Sequence, residues 1–287
     1  MKKSVYDIVT EQVISLLESG VAPWRKPWQS VSSVPPMNYH SKRPYGGINY
    51  FLLSAKFDDP YFLTFKQARE MGGNVIKGEK ASIVIFWMWK FYDAEGNEIK
   101  DEGKAAKKIP FPRYYNVFNA TQIEGIDFHY SPTTELQENE KIKKCEELVG
   151  RCDGLKLKKG SSASYSPFLD VVNVPDIVQF SCSEEYYSTL FHELAHRTGH
   201  STRLDRFKKD QGPARFGSEN YSKEELIAEM ASAFLCHRCQ IDLPTIVQNQ
   251  AAYLSSWIKV LQGDSKLIIT AASQAEKAAK FITKEVK

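Results

Sequence analysis

One pentapeptide, His192-Glu193-Leu194-Ala195-His196, constrains this chain of 287 residues more than any other feature. On a helix, two histidines four residues apart lie one turn apart along the axis and about 40° apart around it, so both imidazoles can reach one ion. Neutral imidazole binds zinc readily, and zinc is the metal most often held by this arrangement. The pattern therefore predicts a helix that carries a metal site.

Glu193 is predicted to be the catalytic residue of that site. It is rotated by about 100° from His192 on the helix, which leaves it beside the ion. A bound metal lowers the pKa of its water from about 15.7 to about 7, and a neighbouring carboxylate can take up that proton and pass it to a leaving group. Residues 185–191 extend the helix with an apolar face, and Gly199 is expected to end it.

A catalytic zinc site needs a third protein ligand and an open position. We predict a second helix over 222–239, with Ser222 as its N-cap and Glu225 completing a capping box. Glu229 lies on the edge of its apolar stripe, where a carboxylate needs a partner such as a divalent cation. We predict Glu229 as the third ligand; the alternative is that it pairs with a surface lysine or arginine.

His200 is the other candidate for the third ligand because it follows His196 by four residues. Gly199 interrupts the helix between them and is expected to swing His200 away from the ion. We therefore favour a role for His200 outside the ligand set, as a capping or supporting residue.

The chain is predicted to be an α+β protein of two domains, residues 1–128 and 129–287, because its length exceeds the commonest single-domain size. A segment rich in Ser, Pro and Thr, 129–134, is the candidate linker. Hydrophobic periodicity and turn residues predict the elements of both halves. They are helices at 5–17, 65–71 and 134–149, a helix starting near Ser183, strands at 81–92, 113–118, 163–165 and 171–174, and a helical tail over 246–282.

Composition favours a cytoplasmic protein. Five scattered cysteines do not suggest a disulfide framework. Asp7 and Glu11 interrupt the N-terminal segment before the apolar core of a signal peptide can form. The longest apolar run, Ile83 to Trp89, is too short to span a membrane.

The first half carries a local excess of positive charge and of aromatic residues. From Gly20 to Lys90 there are ten Lys and Arg against four Asp and Glu, a balance of +6 where the whole chain has +3. Single strands of nucleic acid bind in cationic grooves whose aromatic rings stack on the bases. The predicted nucleic-acid-binding residues are Trp24, Arg25, Lys26, Trp28, Lys42, Arg43, Tyr45, Lys77 and Lys80.

The alternative for the aromatic residues is a place in the core. Trp24, Trp28 and Tyr45 stand among Pro, Gly and cations, which is compatible with exposed loops as well as with burial. Phe51, Phe62, Phe65 and Phe86 are expected to be core residues.

Taken together, these motifs resemble a known family. The second half resembles the zincin-type metallopeptidase domain of ArdC-family antirestriction proteins and mobile-element polyproteins. The first half resembles that family's single-stranded-DNA-binding domain, which also precedes some conjugative-plasmid primases. The matching words are Pro23-Trp24, Tyr45-Gly46-Gly47-Ile48-Asn49, Leu63-Thr64-Phe65-Lys66-Gln67-Ala68, Lys77-Gly78-Glu79-Lys80, Val117-Phe118-Asn119, Ala163-Ser164-Tyr165-Ser166-Pro167, Tyr186-Tyr187, residues 192–200 and Glu225-Leu226-Ile227-Ala228-Glu229.

The resemblance implies a Zn²⁺ ion, or a related divalent ion such as Mn²⁺ or Co²⁺, held by two histidines and a glutamate. It also implies protection of transferred DNA from host restriction enzymes. A longer pattern, with a third histidine ten residues after the first, is absent because Thr202 stands there. This departure favours a glutamate over His200 as the third ligand.

Three functions remain open at this level. The first is an antirestriction protein that coats single-stranded DNA and protects incoming plasmid DNA. The second is a zinc metallopeptidase that its first half delivers to DNA-bound proteins. In the third, the metal only stabilises the fold; Glu193 disfavours it, because a structural ion needs no base beside it.

Overall fold

The computed structural model describes residues 3–25, 34–130, 137–207, 219–241 and 250–285. It has helices and sheets in both halves, which confirms the α+β class. In the first half the described elements are α1 (Val5–Glu18), β1 (Met37–Asn38), β2 (Arg43–Pro44), α2 (Ile48–Ser54), β3 (Tyr61–Leu63), α3 (Phe65–Glu70), β4 (Asn74–Val75), β5 (Ser82–Tyr92), β6 (Glu98–Ile99), β7 (Lys107–Asn119) and β8 (Ile123–Glu124). In the second half they are α4 (Glu138–Gly150), β9 (Leu157–Lys159), β10 (Ser164–Ser166), β11 (Val171–Val174), α5 (Ser183–Thr198), α6 (Glu219–Cys239), α7 (Gln250–Gly263) and α8 (Leu267–Thr283).

The main sheet of the first half has the order β2-β1-β3-β7-β5-β6. Its longest pairing joins β5 and β7 in antiparallel register from Ser82 opposite Val117 to Tyr92 opposite Lys107. The β-branched and aromatic run predicted as a strand over 81–92 is therefore confirmed, and its partner begins six residues earlier than the predicted 113. A second, three-stranded sheet of order β10-β11-β9 lies beside α5 in the second half.

Local capping explains where the shorter helices start. Thr64 accepts a hydrogen bond from the backbone N–H of Gln67, and the Gln67 side chain accepts one from the backbone N–H of Thr64. This capping box satisfies two N–H groups that a helix otherwise leaves unpaired, and it begins α3 as predicted. Helix α1 starts in the same way, with Ser4 and Asp7 as the pair.

Helix α6 does not begin where the sequence predicts. It starts at Glu219, so Ser222 lies within the helix rather than at its N-cap. Glu225 consequently does not close a capping box. Its carboxylate faces the histidines of α5 instead.

The largest core draws on both halves of the chain. The apolar face of α1 (Val9, Val13 and Leu17) and Trp24 belong to the same buried cluster as residues of α5, α6 and α8. Helix α1 packs against α7, and α2 packs against α8. The boundary between residues 128 and 129 stays a prediction, and the hydrophobic core is continuous across it.

A side chain of the second half also packs closely against the backbone of the first half. The Glu276 carboxylate of α8 lies so close to Gly46 that a Cβ atom there would be 2.4 Å from its Oε1 atom. Glycine at this position therefore allows an acidic side chain of the second half to contact the backbone of the first. Among the described residues, no helix is both long enough and apolar enough to span a membrane.

Candidate metal centre

Helix α5 presents His192 and His196 on one side, as the spacing of the motif predicts. Both side chains are partly buried, and their ring centroids lie 4.7 Å apart in an edge-to-face arrangement. The opposite side of the helix, including Leu190, Phe191 and Leu194, is buried in the core. Core packing thus fixes the helix and points both imidazoles towards α6.

Glu225 of α6 completes a group of three possible metal ligands. The two Nε2 atoms of His192 and His196 are 3.1 Å apart, and each lies 3.4 Å from a carboxylate oxygen of Glu225. Ligand atoms about 2.0–2.1 Å from a tetrahedral ion are about 3.3–3.4 Å from one another. The donor triangle therefore has the size that one Zn²⁺-like ion requires.

Electrostatics of the three groups favour a cation between them. Burial opposes charge on His196 and Glu225, but the carboxylates of Glu224 and Glu225 raise the pKa of His196 to about 9. The histidines in turn hold the pKa of Glu225 well below its usual range despite its burial. A divalent ion would replace the proton and be held by the same negative charge.

Glu193 lies beside the triangle and is only 7% exposed. Burial raises its pKa, while the neighbouring histidines and a hydrogen bond from the backbone N–H of Tyr165 act in the opposite direction. A raised pKa makes a carboxylate a stronger base, and a general base has to take up a proton. The prediction of Glu193 as the catalytic residue stays a prediction, and its position is compatible with it.

Glu224 supports the centre from outside the triangle. Its carboxylate lies 3.4 Å from Nδ1 of His196, the ring nitrogen that faces away from Glu225. Arg206 donates to both oxygens of Glu224, at 3.0 and 2.6 Å, and also to Thr198 and to the backbone of Ala195. A carboxylate on the second nitrogen fixes the tautomer and orientation of a metal-binding imidazole.

The structure does not bring Glu229 to the histidines. Its carboxylate accepts hydrogen bonds from Trp24 at 2.8 Å, from Arg25 at 3.3 Å and from the Tyr253 hydroxyl. Burial and the Glu229 carboxylate together raise the pKa of Tyr253. Glu229 is thus partnered by the first half and by α7, and the structure brings Glu225, one helical turn earlier, to the two histidines in place of the predicted Glu229.

His200 also lies apart from the ligand group. Its Nδ1 atom is 2.9 Å from the hydroxyl of Thr202 and accepts a hydrogen bond from the Thr202 backbone N–H. It follows the end of α5 at Thr198, after Gly199, as predicted. Its contacts belong to the turn that leaves the helix.

Comparisons with known proteins match the chain along its length. A family described as the N-terminal domain of anti-restriction factor ArdC matches residues 3–118, and a zincin-like metallopeptidase family matches residues 143–274. A crystal structure of metal-free ArdC from plasmid R388 has 34% sequence identity, covers 98% of this chain and 97% of that one, and superposes with a TM-score of 0.74. The chain belongs to the ArdC family of antirestriction proteins.

Other relatives also match nearly the whole of this chain. The Mn(II)-bound structure of the same ArdC has 33% identity, 98% coverage of both chains and a TM-score of 0.76. The DNA primase TraC of Escherichia coli is 35% identical over 98% of this chain, which spans 27% of the length of that primase. Protein y4eC of Sinorhizobium fredii is 33% identical over 97% of this chain and 91% of its own length. A divalent metal in this family has direct support from the Mn(II)-bound relative.

The predicted nucleic-acid-binding residues fall into three groups. Trp24 is fully buried and Tyr45 is 6% exposed, so neither ring can stack on a base, and the partly buried Arg25 is paired with Glu229. Lys26 and Trp28 lie outside the described residues. The exposed cations are Lys42, Arg43, Lys77 and Lys80.

The aromatic residues expected in the core also divide. Phe51 and Phe62 are fully buried as expected, but Phe65 is 55% and Phe86 is 46% exposed. Lys42 places its ammonium group 3.4 Å from the centre of the Tyr39 ring, which leaves it fixed on the surface. Among the described residues of the first half, Trp24 and Tyr45 are buried, whereas the exposed aromatic residues include Phe65 on α3 and Phe86, Trp87, Trp89, Tyr114 and Tyr115 on β5 and β7.

The sequence analysis did not identify two residues of the centre, Glu225 in the donor triangle and Glu224 beside it. Glu225 was assigned to a cap, and Glu224 had no role, because both were placed in the first turn of a helix that begins earlier. The signal was present in the word Glu225-Leu226-Ile227-Ala228-Glu229, which contains a carboxylate at each end. Spacing alone cannot decide between two glutamates one turn apart.

Proposed function

We propose that this protein binds single-stranded DNA and protects incoming plasmid DNA from host restriction endonucleases in the cytoplasm. One observation carries the proposal: the similarity to ArdC runs through both halves and covers 98% of this chain. Restriction endonucleases cut duplex DNA, and a chain that holds transferred DNA as a single strand denies them their substrate. The excess of positive charge in the first half supports contact with a polyanion.

The metal centre is proposed to bind Zn²⁺ through His192, His196 and Glu225. Imidazole and carboxylate donors in a triangle of this size suit a tetrahedral ion with one open position. Such an ion, when bound, would supply Lewis acidity and an acidified water at neutral pH. Mn²⁺ and Co²⁺ are the other candidates, since both accept the same donors.

The chain's own residues would do the remaining work of a hydrolase. Glu224 and Arg206 hold the His196 ring in one orientation. Glu193 accepts a proton at its carboxylate and returns it to the leaving group. The backbone N–H of Tyr165 orients that carboxylate from β10, the strand at the edge of its sheet.

A second candidate function is a DNA-directed zinc metallopeptidase that cleaves DNA-bound proteins. The observation that favours it is the buried carboxylate of Glu193 beside a complete ligand triangle, since a structural ion has no use for a base. The two functions are compatible, because the first half could deliver the second to proteins on DNA.

The test is an antirestriction assay in which an unmodified plasmid is conjugated into a restricting host that expresses the full-length chain. The variants are Glu193→Gln, which removes the proposed base, and Glu225→Gln, which removes a proposed ligand. If both protect the plasmid as well as the parent does, protection is by occlusion of DNA and needs no hydrolysis. If both lose protection while retaining DNA binding, the peptidase function is the one at work. A parent chain that gives no protection would contradict the proposed function.

A further inference from the structure

At the end of the main sheet beyond β3, strands β5 and β7 continue as a ribbon, defined here as residues 84–92 paired with 107–115. Strand β6 pairs with this ribbon only at Phe91 and Tyr92. Side chains directly opposite each other lie on the same face, and successive pairs on a face are about 6.8 Å apart. One face, here named the Phe86 face, carries the pairs Val84–Tyr115, Phe86–Arg113, Met88–Phe111, Lys90–Ile109 and Tyr92–Lys107. The other, the Trp89 face, carries Ile85–Tyr114, Trp87–Pro112, Trp89–Pro110 and Phe91–Lys108.

The Phe86 face exposes aromatic rings that a core would normally cover. Phe86 is 46% exposed and Tyr115 is 42% exposed, and their ring centroids are 5.6 Å apart in an edge-to-face arrangement. The buried ring of Tyr45 lies 6.4 Å from Phe86 and supports it from below. The two ring planes are 72° apart, so each ring offers its own face to a flat ligand.

The charge of the ribbon is of one sign. The sequences of β5 and β7 contain four cations, Lys90, Lys107, Lys108 and Arg113, and no Asp or Glu. Lys90 is paired with Glu98, and Lys108 is paired with Glu102. Arg113 and Lys107 form no ion pair with any residue that the structure describes, and both lie on the Phe86 face.

The two faces are therefore not equivalent. On the Trp89 face the cation Lys108 is already paired, and Tyr6 of α1 contacts Trp87 with a ring separation of 6.4 Å. The Phe86 face combines exposed aromatic rings with two cations, Arg113 and Lys107, that pair with no acidic group in the described part of the chain. This is the combination by which proteins hold single-stranded nucleic acid, through stacked bases and neutralised phosphates.

We propose that the Phe86 face is the binding surface for single-stranded DNA, with bases stacked on Phe86 and Tyr115 and phosphates paired with Arg113 and Lys107. The inference rests on the proposed function and gives it a location different from the loops around Trp24 and Tyr45. Duplex DNA fits less well, because its bases are already stacked within the helix and cannot cover the rings. A second copy of the chain fits less well also, because a symmetric contact through this face would bring like charges together.

The experiment measures the binding of fluorescein-labelled oligothymidylate by fluorescence anisotropy, using the full-length chain over a series of salt concentrations. The test variants are Phe86→Ala combined with Tyr115→Ala, and Arg113→Ala alone. Trp89→Ala is the matched control, since Trp89 is 53% exposed on the opposite face of the same ribbon. Circular dichroism and size-exclusion chromatography of each variant check its fold and its oligomeric state.

The double aromatic variant should weaken binding by at least about 10-fold. Arg113→Ala should reduce the dependence of log Kd on log salt by about 0.7 for each phosphate contact that is lost. Trp89→Ala should bind as the parent does. Parent-like binding by both test variants would overturn the location and leave the proposed function standing, whereas a parent that does not bind the oligonucleotide would overturn both. Equal losses from the test variants and Trp89→Ala would overturn the choice of face, and a dimeric parent made monomeric by Phe86→Ala with Tyr115→Ala would assign the surface to a second copy.

Discussion

Two single substitutions, Glu225→Gln and Glu229→Gln, should separate metal binding from stability, although the two residues lie only one helical turn apart. Glu225→Gln removes a carboxylate that lies 3.4 Å from the Nε2 atoms of both histidines. Glu229→Gln removes an identical group from the network of Trp24, Arg25 and Tyr253. Both substitutions keep the size of the side chain, so each is the control for the other. We expect Glu225→Gln to lose the metal and Glu229→Gln to lose stability.

The size of the stability loss follows from the contacts of Glu229. Its side chain is 10% exposed and that of Arg25 is 30% exposed, so water replaces little of the lost interaction. Glu229→Gln leaves the Arg25 guanidinium without its counter-charge. It also places a neutral amide opposite the two other donors, the Trp24 N–H and the Tyr253 hydroxyl. Buried charged hydrogen bonds contribute about 1.5–3 kcal/mol, and breaking a buried pair from one side costs about 3–5 kcal/mol. Because the guanidinium keeps some access to water, we expect a loss of about 2–3 kcal/mol.

Glu225→Gln should behave in the opposite way. Its side chain is 25% exposed, and the Glu224 carboxylate still faces Nδ1 of His196 when that of Glu225 is removed. In the presence of EDTA we expect its free energy of unfolding to stay within about 1 kcal/mol of the parent.

Elemental analysis after equilibration with Zn²⁺ and desalting measures metal content, and urea denaturation in EDTA measures stability. Full metal occupancy in Glu225→Gln, together with metal loss in Glu229→Gln, would refute the geometric reasoning and return Glu229 to the ligand set.

Three further substitutions test the supporting structure. Glu224→Gln should weaken Zn²⁺ affinity by about 10- to 100-fold in a competition titration, because it removes the carboxylate that orients His196. Burial lowers the pKa of His237 to about 4; the neutral ring therefore contributes stability that is complete above its usual pKa of about 6.5 and lost as the pH falls towards 4. Urea titrations should show about 2 kcal/mol of this loss between pH ~7.5 and ~5, and His237→Gln should not show it. Asn49→Ala should lower the free energy of unfolding by about 2–4 kcal/mol in urea, because Asn49 donates to the carbonyl of Ile85 and accepts from its N–H, and both groups are buried.

Local patterns predicted those elements whose signals lie within a few residues. Thr64 and Gln67 form the box that begins α3, and the β-branched run of β5 pairs as expected. The histidine spacing of α5 correctly predicted that both imidazoles lie on one side, because helix geometry alone determines their separation. Such features need no knowledge of what the rest of the chain does.

The choice between Glu225 and Glu229 as the carboxylate beside the histidines depends on a distant partner. Glu225 and Glu229 differ by one turn and about 40° on α6, so both sit near the edge of the buried stripe. What separates them is that Trp24, more than 200 positions earlier, occupies one of the two carboxylates. The prediction that a buried carboxylate on α6 needs a partner was sound, but it could not say which partner each glutamate receives.

The exposure of aromatic rings also depends on distant partners, and for this reason the expected burial of Phe86 is wrong. Trp24 stands among Pro and cations, yet it is fully buried because Trp257 packs against its ring at 6.1 Å and Glu229 accepts its N–H. Phe86 stands in a strongly apolar strand, yet it is exposed because the ribbon extends beyond the core that would cover it. The local sequence determines which side of a strand a ring occupies. Whether the ring is buried depends on elements distant in sequence that pack against it. An exposed ring in an apolar strand is therefore stronger evidence for a binding surface than a tryptophan in a basic loop. The apolar sequence of the strand predicts a covering partner, and the exposure of the ring shows that this chain does not provide one there.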